Sequence, residues 1–150
     1  MADLSLPWSH ICPVNVEALQ EFCLSARWPE VAANKPPRIF DLPGEIVASV
    51  VQTVMVHLPG MTADRPFLSL MRPWIEHGMH VDQRNSGWVT RVHVVVKTNR
   101  KAWMLWEEDG VPVFFQEGWA YTFHTTRRHA FGNGGTADRI HLIFDVKESL

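Results

Sequence analysis

The sequence predicts a mainly β domain, either a barrel or a double-sheet jelly roll, with a short α-segment at its N-terminus. From Gly78 onward, short stretches rich in β-branched and aromatic residues alternate with polar turn residues, which is typical of both architectures. The pair Asp109-Gly110 lies between two apolar stretches and predicts a hairpin with a type I′ turn. At 150 residues, the chain has the length of one domain with a core of its own.

The N-terminal segment, residues 1–44, is expected to contain one helix and a connector. The apolar residues of Val14–Ala26 recur at helical spacing, and Asn15 offers its side-chain oxygen as an N-cap. The stretch Trp28–Pro43 contains four prolines and no sustained period. It is therefore interpreted as an extended connector.

Residues 45–150 are expected to form the barrel. The stretch Glu45–Leu58 is rich in β-branched residues and predicts one long strand or two, ended by Pro59-Gly60. A turn and a short helix are expected around Phe67–Ile75. The remaining strands are predicted at Val89–Thr98, Lys101–Glu107, Val111–Gln116, Trp119–Thr125 and Arg139–Lys147.

Composition narrows the classes of function. The chain has 14 Lys and Arg against 16 Asp and Glu, a formal charge of −2, so no basic stripe predicts a nucleic-acid partner. Two cysteines are too few for a disulfide scaffold and lack metal-finger spacing, which favours a reducing compartment. No apolar run approaches the roughly 20 residues that span a bilayer. We therefore expect a cytoplasmic protein with no membrane or nucleic-acid partner.

Two predicted strands carry the same Arg-x-His pattern. In RVHVVVK the alternation of a strand places Arg91 and His93 on one face, opposite an apolar face. In DRIHLIFDV, Arg139 and His141 share a face in the same way. An arginine that points into a barrel needs an anion, and a carboxylate matches the geometry of its guanidinium group. The pattern favours a bound dicarboxylate, although either arginine alone fits the solvent face of a sandwich.

A second group of residues has the chemistry of metal ligands. His80 and Asp82 are two residues apart, so on an extended strand they point to the same side and can hold one ion together. His129 follows 49 residues after His80, which is far enough for the chain to cross the barrel and return. Two imidazoles and one carboxylate bind one face of a metal, and the open positions opposite suit non-haem Fe(II).

With these motifs together, the sequence resembles the aspartyl/asparaginyl β-hydroxylase family, which includes proline-hydroxylase-like members and belongs to the Fe(II)/2-oxoglutarate dioxygenases. The resemblance runs from about Val54 to Val146. Its specific parts are HVD, RVHVVVKT, EGWAYTFHTTRRHAFGN and DRIHLIFDV. It implies a double-stranded β-helix, the cupin-like form of the jelly roll.

The resemblance also implies roles for six residues. The metal ligands would be His80, Asp82 and His129, and Arg139 would bind the distal carboxylate of 2-oxoglutarate. Two further positions match residues that contact the co-substrate in the hydroxylase branch. These are Arg91 and His93. The retained Asp82 counts against halogenation, because halogenating relatives vacate that position for the halide.

The function that the resemblance implies is hydroxylation of an unactivated carbon of an amino acid, free or within a peptide or small metabolite, with O2 as the second substrate. Two other interpretations stay open. One is a cupin-type metal enzyme that does not use 2-oxoglutarate, which leaves Arg139 unexplained. The other is a non-catalytic β-barrel binding module with structural histidines. For the hydroxylase, a chain this short has little material for a large lid, so we expect a pocket that is either open or completed by a second subunit of a homo-oligomer.

Overall fold

The protein is described from a computed structural model that covers residues 2–32, 35–83 and 87–149. The helices of these residues are α1 (Glu17–Ser25) and α2 (Gly44–Met55). The strands, in chain order, are β1 (Trp8–Pro13), β2 (Arg38–Ile39), β3 (Met61–Ala63), β4 (Phe67–Met71), β5 (Ile75–His80), β6 (Trp88–Lys97), β7 (Ala102–Trp106), β8 (Trp119–Phe123), β9 (His129–Asn133) and β10 (Arg139–Glu148).

The strands form two antiparallel sheets that face each other. The larger sheet has the order β1-β8-β6-β10-β4-β2, with β3 paired to the far part of β10. The smaller sheet has the order β5-β9-β7. Neighbouring strands in each sheet are far apart in sequence, as in a jelly roll. The predicted mainly β, jelly-roll class is therefore confirmed.

The alternation of the long strands separates a helix-covered face from an interior face. On β6 and β10, apolar residues such as Val94 and Leu142 are fully buried in one cluster with residues of α1 and α2. The residues between them, including His93 and His141, are buried on the opposite face. That face looks toward the smaller sheet. A second apolar cluster, which includes Trp106, fills part of the space between the sheets.

The stretch Glu45–Leu58 was expected to be a strand, and this expectation is wrong because the stretch forms α2. Its β-branched residues suggested a strand, but the buried ones, Val47, Val50 and Val54, are three and four residues apart. That is the spacing of one helix face, and this face packs on the larger sheet. Tertiary burial therefore outweighs the modest helix propensity of valine.

Two other local predictions are also wrong. The short helix expected around Phe67–Ile75 is the strand β4 followed by the start of β5, and all five residues of β4 are buried. The strand expected at Val111–Gln116 contributes only an isolated bridge between Val113 and Met104. A strand buried on both faces has no alternation to read, which explains why β4 was missed.

The predicted type I′ turn at Asp109-Gly110 does not form. Gly110 has a φ of 65°, but Asp109 is not among the described residues with positive φ, and a type I′ turn needs both. The N–H groups of both residues instead donate to the carbonyl of Trp106, which closes a wider loop after β7. The predicted N-cap is shifted as well. Val16 occupies that position, and Asn15 accepts from the N–H of Glu17.

The N-terminal segment contains more regular structure than the expected helix and connector. Strand β1 pairs with β8, and β2 pairs with β4 at the other edge of the same sheet. The predicted strands at Val89–Thr98, Lys101–Glu107 and Arg139–Lys147 are confirmed to within one or two residues as β6, β7 and β10. Neither described helix is long and apolar enough to cross a membrane.

Candidate active site

The three candidate metal ligands lie together at one end of the smaller sheet. His80 ends β5, Asp82 follows it, and His129 begins β9 directly opposite His80 in the strand register. One ligand atom from each residue lies within 4.8 Å of those of the other two, and His80 Nε2 is 3.6 Å from Asp82 Oδ1. The strand pairing thus brings together residues that are 49 positions apart in the chain.

Backbone groups orient these side chains. His80 Nδ1 lies 2.6 Å from the carbonyl of Gly78, and His129 Nδ1 lies 2.8 Å from the carbonyl of Arg127. A carbonyl only accepts, so each Nδ1 carries a proton and each Nε2 is the nitrogen left to bind a metal. The N–H of Asp82 donates to the carbonyl of Thr125 at 2.8 Å. Burial lowers the pKa of His129, which favours the neutral form that a metal requires.

This donor set fits one particular kind of metal. Two imidazole nitrogens and one carboxylate oxygen grouped at the edge of a cavity match the facial arrangement of non-haem Fe(II). The hydrogen bonds of both Nδ1 atoms add to the fit, because they leave Nε2 as the ligating nitrogen of each histidine.

Arg91 is bound to two aspartates. Its Nη1 donates to Asp82 at 3.0 Å, while Nε and Nη2 donate to the two oxygens of Asp145 at 2.8 and 3.2 Å. Burial alone would lower the pKa of Arg91, but the hydrogen bond and charge of Asp145 and the charge of Asp82 raise it. Its predicted contact with the co-substrate stays a prediction, since its described bonds go to Asp82 and Asp145.

Arg139 is a buried cation that forms no ion pair with any described residue. Only 4% of its surface is exposed, and its Nε has no hydrogen-bond partner within the described ranges. The guanidinium carbon lies 5.3 Å from the centre of the Phe131 ring. Burial lowers the pKa of Arg139 to about 10. The buried Ser69 faces the same cavity.

His93 lies deeper in the interior and is paired with His141. Their Nδ1 atoms are 2.9 Å apart, so one ring donates and the other accepts. Burial is the main cause that lowers the pKa of both histidines well below the usual value. Both rings are therefore neutral near pH 7.

One cavity of about 110 Å³ collects these groups. The six residues singled out in the sequence all line it: His80, Asp82, Arg91, His93, His129 and Arg139. The cavity is smaller than the roughly 300–1,000 Å³ of pockets for drug-sized ligands, so it suits a small acid. Ser69 and Arg38 also line the cavity, although no motif in the sequence pointed to them. Ser69 lies in the misassigned β4, and Arg38 in a connector without any period.

Comparison with protein families gives a match over most of the chain. The family model of aspartyl/asparaginyl β-hydroxylase matches residues 45–149, more than two-thirds of the chain. The chain belongs to the aspartyl/asparaginyl β-hydroxylase family. As a member of this family it is an enzyme, a dioxygenase of the Fe(II)/2-oxoglutarate class, as the sequence predicted. Such an enzyme acts on a substrate together with O2.

Several solved structures share the fold of this aspartyl/asparaginyl β-hydroxylase family member. A viral collagen prolyl hydroxylase from Paramecium bursaria Chlorella virus-1, solved with 2-oxoglutarate, has a TM-score of 0.73 at 9% identity, with 97% of each chain covered. A Pseudomonas putida prolyl-4-hydroxylase has a TM-score of 0.70 at 14% identity, covering 96% of this chain and 94% of the other.

A third similar structure is the non-haem α-ketoglutarate-dependent carbocyclase SnoK from nogalamycin biosynthesis. Its TM-score is 0.68 at 11% identity, and the match covers 95% of this chain and 79% of SnoK. At these identities the structures establish the fold alone. No curated protein sequence matches the chain significantly.

Proposed function

We propose that this protein hydroxylates an unactivated carbon of an amino acid, either free or within a peptide or small metabolite. Fe(II) would be held by His80, Asp82 and His129, and 2-oxoglutarate would be the co-substrate. When bound, Fe(II) and 2-oxoglutarate supply the oxidising chemistry that inserts one oxygen atom from O2 into a C–H bond.

One observation carries the proposal. Arg139 is a permanently charged side chain, almost fully buried, with no carboxylate partner among the described residues, and it lines the same cavity as the metal ligands. A buried charge without a partner is costly, so the site is built for an anion supplied from outside. The distal carboxylate of 2-oxoglutarate is such an anion, and Ser69 offers a hydroxyl on the same wall.

The residues of this chain have separable tasks. His80 and His129 would bind the metal through Nε2, and the hydrogen bonds from Nδ1 to the Gly78 and Arg127 carbonyls fix the orientation of both rings. Arg91 holds the Asp82 carboxylate in place by a bond to one of its oxygens. His93 lines the cavity without adding charge, and His141, which is also neutral, pairs with it.

The similar structures include a carbocyclase as well as prolyl hydroxylases, so the test must identify the product. The protein is supplied with Fe(II), 2-oxoglutarate and 18O2, and a panel of free amino acids and short peptides is screened by mass spectrometry. Hydroxylation predicts a product heavier by one 18O atom, formed with succinate. Asp82→Ala should abolish this product, while Arg128→Gln on the exposed surface should not.

A product that loses two hydrogen atoms without gaining oxygen would point to ring closure instead. Substrate conversion that does not require 2-oxoglutarate would favour the cupin-type interpretation. Either result would overturn the proposed hydroxylation.

A further inference from the structure

The edge strand β2 carries an arginine that the proposed reaction does not yet use. Arg38 pairs with Ser69 in the strand register, Ser69 pairs with His141, and residues opposite one another in a sheet share a face. Arg38 therefore points to the interior face, and its side chain lines the cavity that holds the metal ligands. Because Arg38 is exposed and also lines the cavity, it lies at the mouth of the site.

Arg38 has no anionic partner in the described part of the chain. No side-chain hydrogen bond or ion pair in this part involves Arg38. Its guanidinium carbon lies 4.8 Å from the centre of the Phe67 ring. Arg91 differs, because Asp82 and Asp145 already neutralise it. A guanidinium laid on an aromatic ring keeps its N–H groups free for a ligand.

Arg38 and Arg139 serve different parts of the cavity. The stacking on Phe67 directs Arg38 toward the part of the sheet where Ile143 pairs with His93, whereas Arg139 pairs with Met71 at the other end of β4. Burial and the charge of Arg91 lower the pKa of Arg38, while the charges of Asp82, a candidate metal ligand, and Asp145 raise it. Arg38 thus lies on the metal side of the cavity.

The charges of the site leave room for one more anion. Three arginines, Arg38, Arg91 and Arg139, stand against two aspartates, Asp82 and Asp145. The proposed Fe(II) and the dianion 2-oxoglutarate cancel each other. One positive charge therefore stays uncompensated, and a substrate with one carboxylate would neutralise it.

We propose that Arg38 binds a carboxylate of the substrate and so restricts the enzyme to acidic substrates. This assignment rests on the proposed function and goes further by naming the substrate class and the residue that selects it. The carboxylate is either the α-carboxylate of a free amino acid or an acidic side chain within a peptide. The chemistry of binding to the guanidinium group is the same for both sources.

The test uses the full chain loaded anaerobically with Fe(II) and 2-oxoglutarate, whose chelate has a visible charge-transfer band. The 2-oxoglutarate dissociation constant is read from this band in the wild type, Arg38→Gln, Arg38→Lys and Arg139→Gln. Arg65→Gln is the matched control, because Arg65 also stacks on an aromatic ring, at 5.1 Å from Phe40, but does not line the cavity. Circular dichroism and thermal unfolding verify that each variant is folded.

Substrate binding is then read from the shift of the same band. The probes are the free amino acids, their carboxamides, and N-acetyl-aspartate α-amide, which carries only a side-chain carboxylate. We expect the acids to bind and the matching carboxamides not to bind. The third probe separates the two carboxylate sources. Arg38→Gln should weaken acid binding roughly ten- to a hundredfold, Arg38→Lys less, and Arg65→Gln not at all. The dissociation constant for 2-oxoglutarate should increase in Arg139→Gln and stay unchanged in Arg38→Gln.

Several outcomes would overturn the assignment. Equal binding of acids and carboxamides, or no shift with any probe, would show that the substrate is not such an acid. A larger dissociation constant for 2-oxoglutarate in Arg38→Gln would show that Arg38 binds the co-substrate. Unchanged acid binding in Arg38→Gln with increased aggregation would reduce Arg38 to a charge that protects an edge strand. Absence of the band from the wild type would refute the proposed function itself.

Discussion

Arg91 donates a hydrogen bond of 3.0 Å to Asp82, the only carboxylate among the three candidate metal ligands. The same guanidinium group is held from behind by both oxygens of Asp145, which also accepts from Trp88 Nε1 at 3.3 Å. This chain of contacts runs from β10 through β6 to Asp82, two residues after the end of β5. It makes Asp145 a positioning residue for a ligand that it does not touch.

Replacing Asp145 with Asn should weaken Fe(II) binding without unfolding the protein. The amide offers one acceptor in place of two and no negative charge, so Arg91 would draw more strongly on Asp82 and reduce its strength as a ligand. Loss of such an outer partner costs about 10- to 100-fold in metal affinity. Calorimetric titration with Fe(II) under anaerobic conditions measures the change.

Asp64→Asn is the matched control for this experiment. Asp64 also pairs with a cation of β10, since Lys147 Nζ is 2.9 Å away, but it lies at the surface. Its replacement should leave Fe(II) affinity unchanged. An Asp145→Asn variant that binds Fe(II) as tightly as Asp64→Asn would show that Arg91 does not depend on Asp145.

The buried pair His93 and His141 predicts a specific pH dependence of stability. Burial lowers both pKa values well below 6.5, whereas in the unfolded chain each ring takes up a proton as the pH falls through about 6.5. At low pH the unfolded state then binds more protons than the folded state, so the free energy of unfolding decreases as the pH is lowered. Each histidine contributes at most about 1.4 kcal/mol per pH unit.

Urea unfolding of the chelator-treated protein at pH 7.5, 6.5 and 5.5 measures this effect. We expect the free energy of unfolding to be highest at pH 7.5 and to decrease most steeply below pH 6.5. The double variant His93→Gln, His141→Gln should flatten the decrease, and replacing the exposed His57 should not. Equal stability of the wild type at pH 5.5 and 7.5 would contradict the neutral buried pair.

Helix α2 predicts unequal costs for two valines that are two residues apart. Val54 is fully buried against the larger sheet, whereas Val56 is 70% exposed. Val54→Ala should therefore lower the free energy of unfolding by roughly 1–3 kcal/mol, from lost burial and the cavity left behind. Val56→Ala should be close to neutral. Urea unfolding of both variants measures the difference, and a larger loss at Val56 would argue against the packing of α2.

The sequence singled out six residues that line one cavity, but it misassigned some of the elements around them, and both outcomes have physical reasons. Polar and apolar residues alternate over 91–94 in β6 and over 139–142 in β10, so the inward residues there could be identified without a structure. Helix α2 could not, because its valines satisfy a strand preference and a helix period at once. The carbonyls of Gly78 and Arg127 carry no side-chain signal, and Arg38 comes from a connector whose position only the strand pairing defines.

The most direct test of the account is an anaerobic titration of the apoprotein with Fe(II) and 2-oxoglutarate, observed through the visible band of the chelate. The account predicts one equivalent of each ligand per chain, no band in Asp82→Ala because the metal is lost, and a much weaker 2-oxoglutarate affinity in Arg139→Gln. Exposed Arg128→Gln should behave as the wild type. A band of wild-type strength in both site variants, or no Fe(II) binding by the wild type, would contradict the assignment of the site.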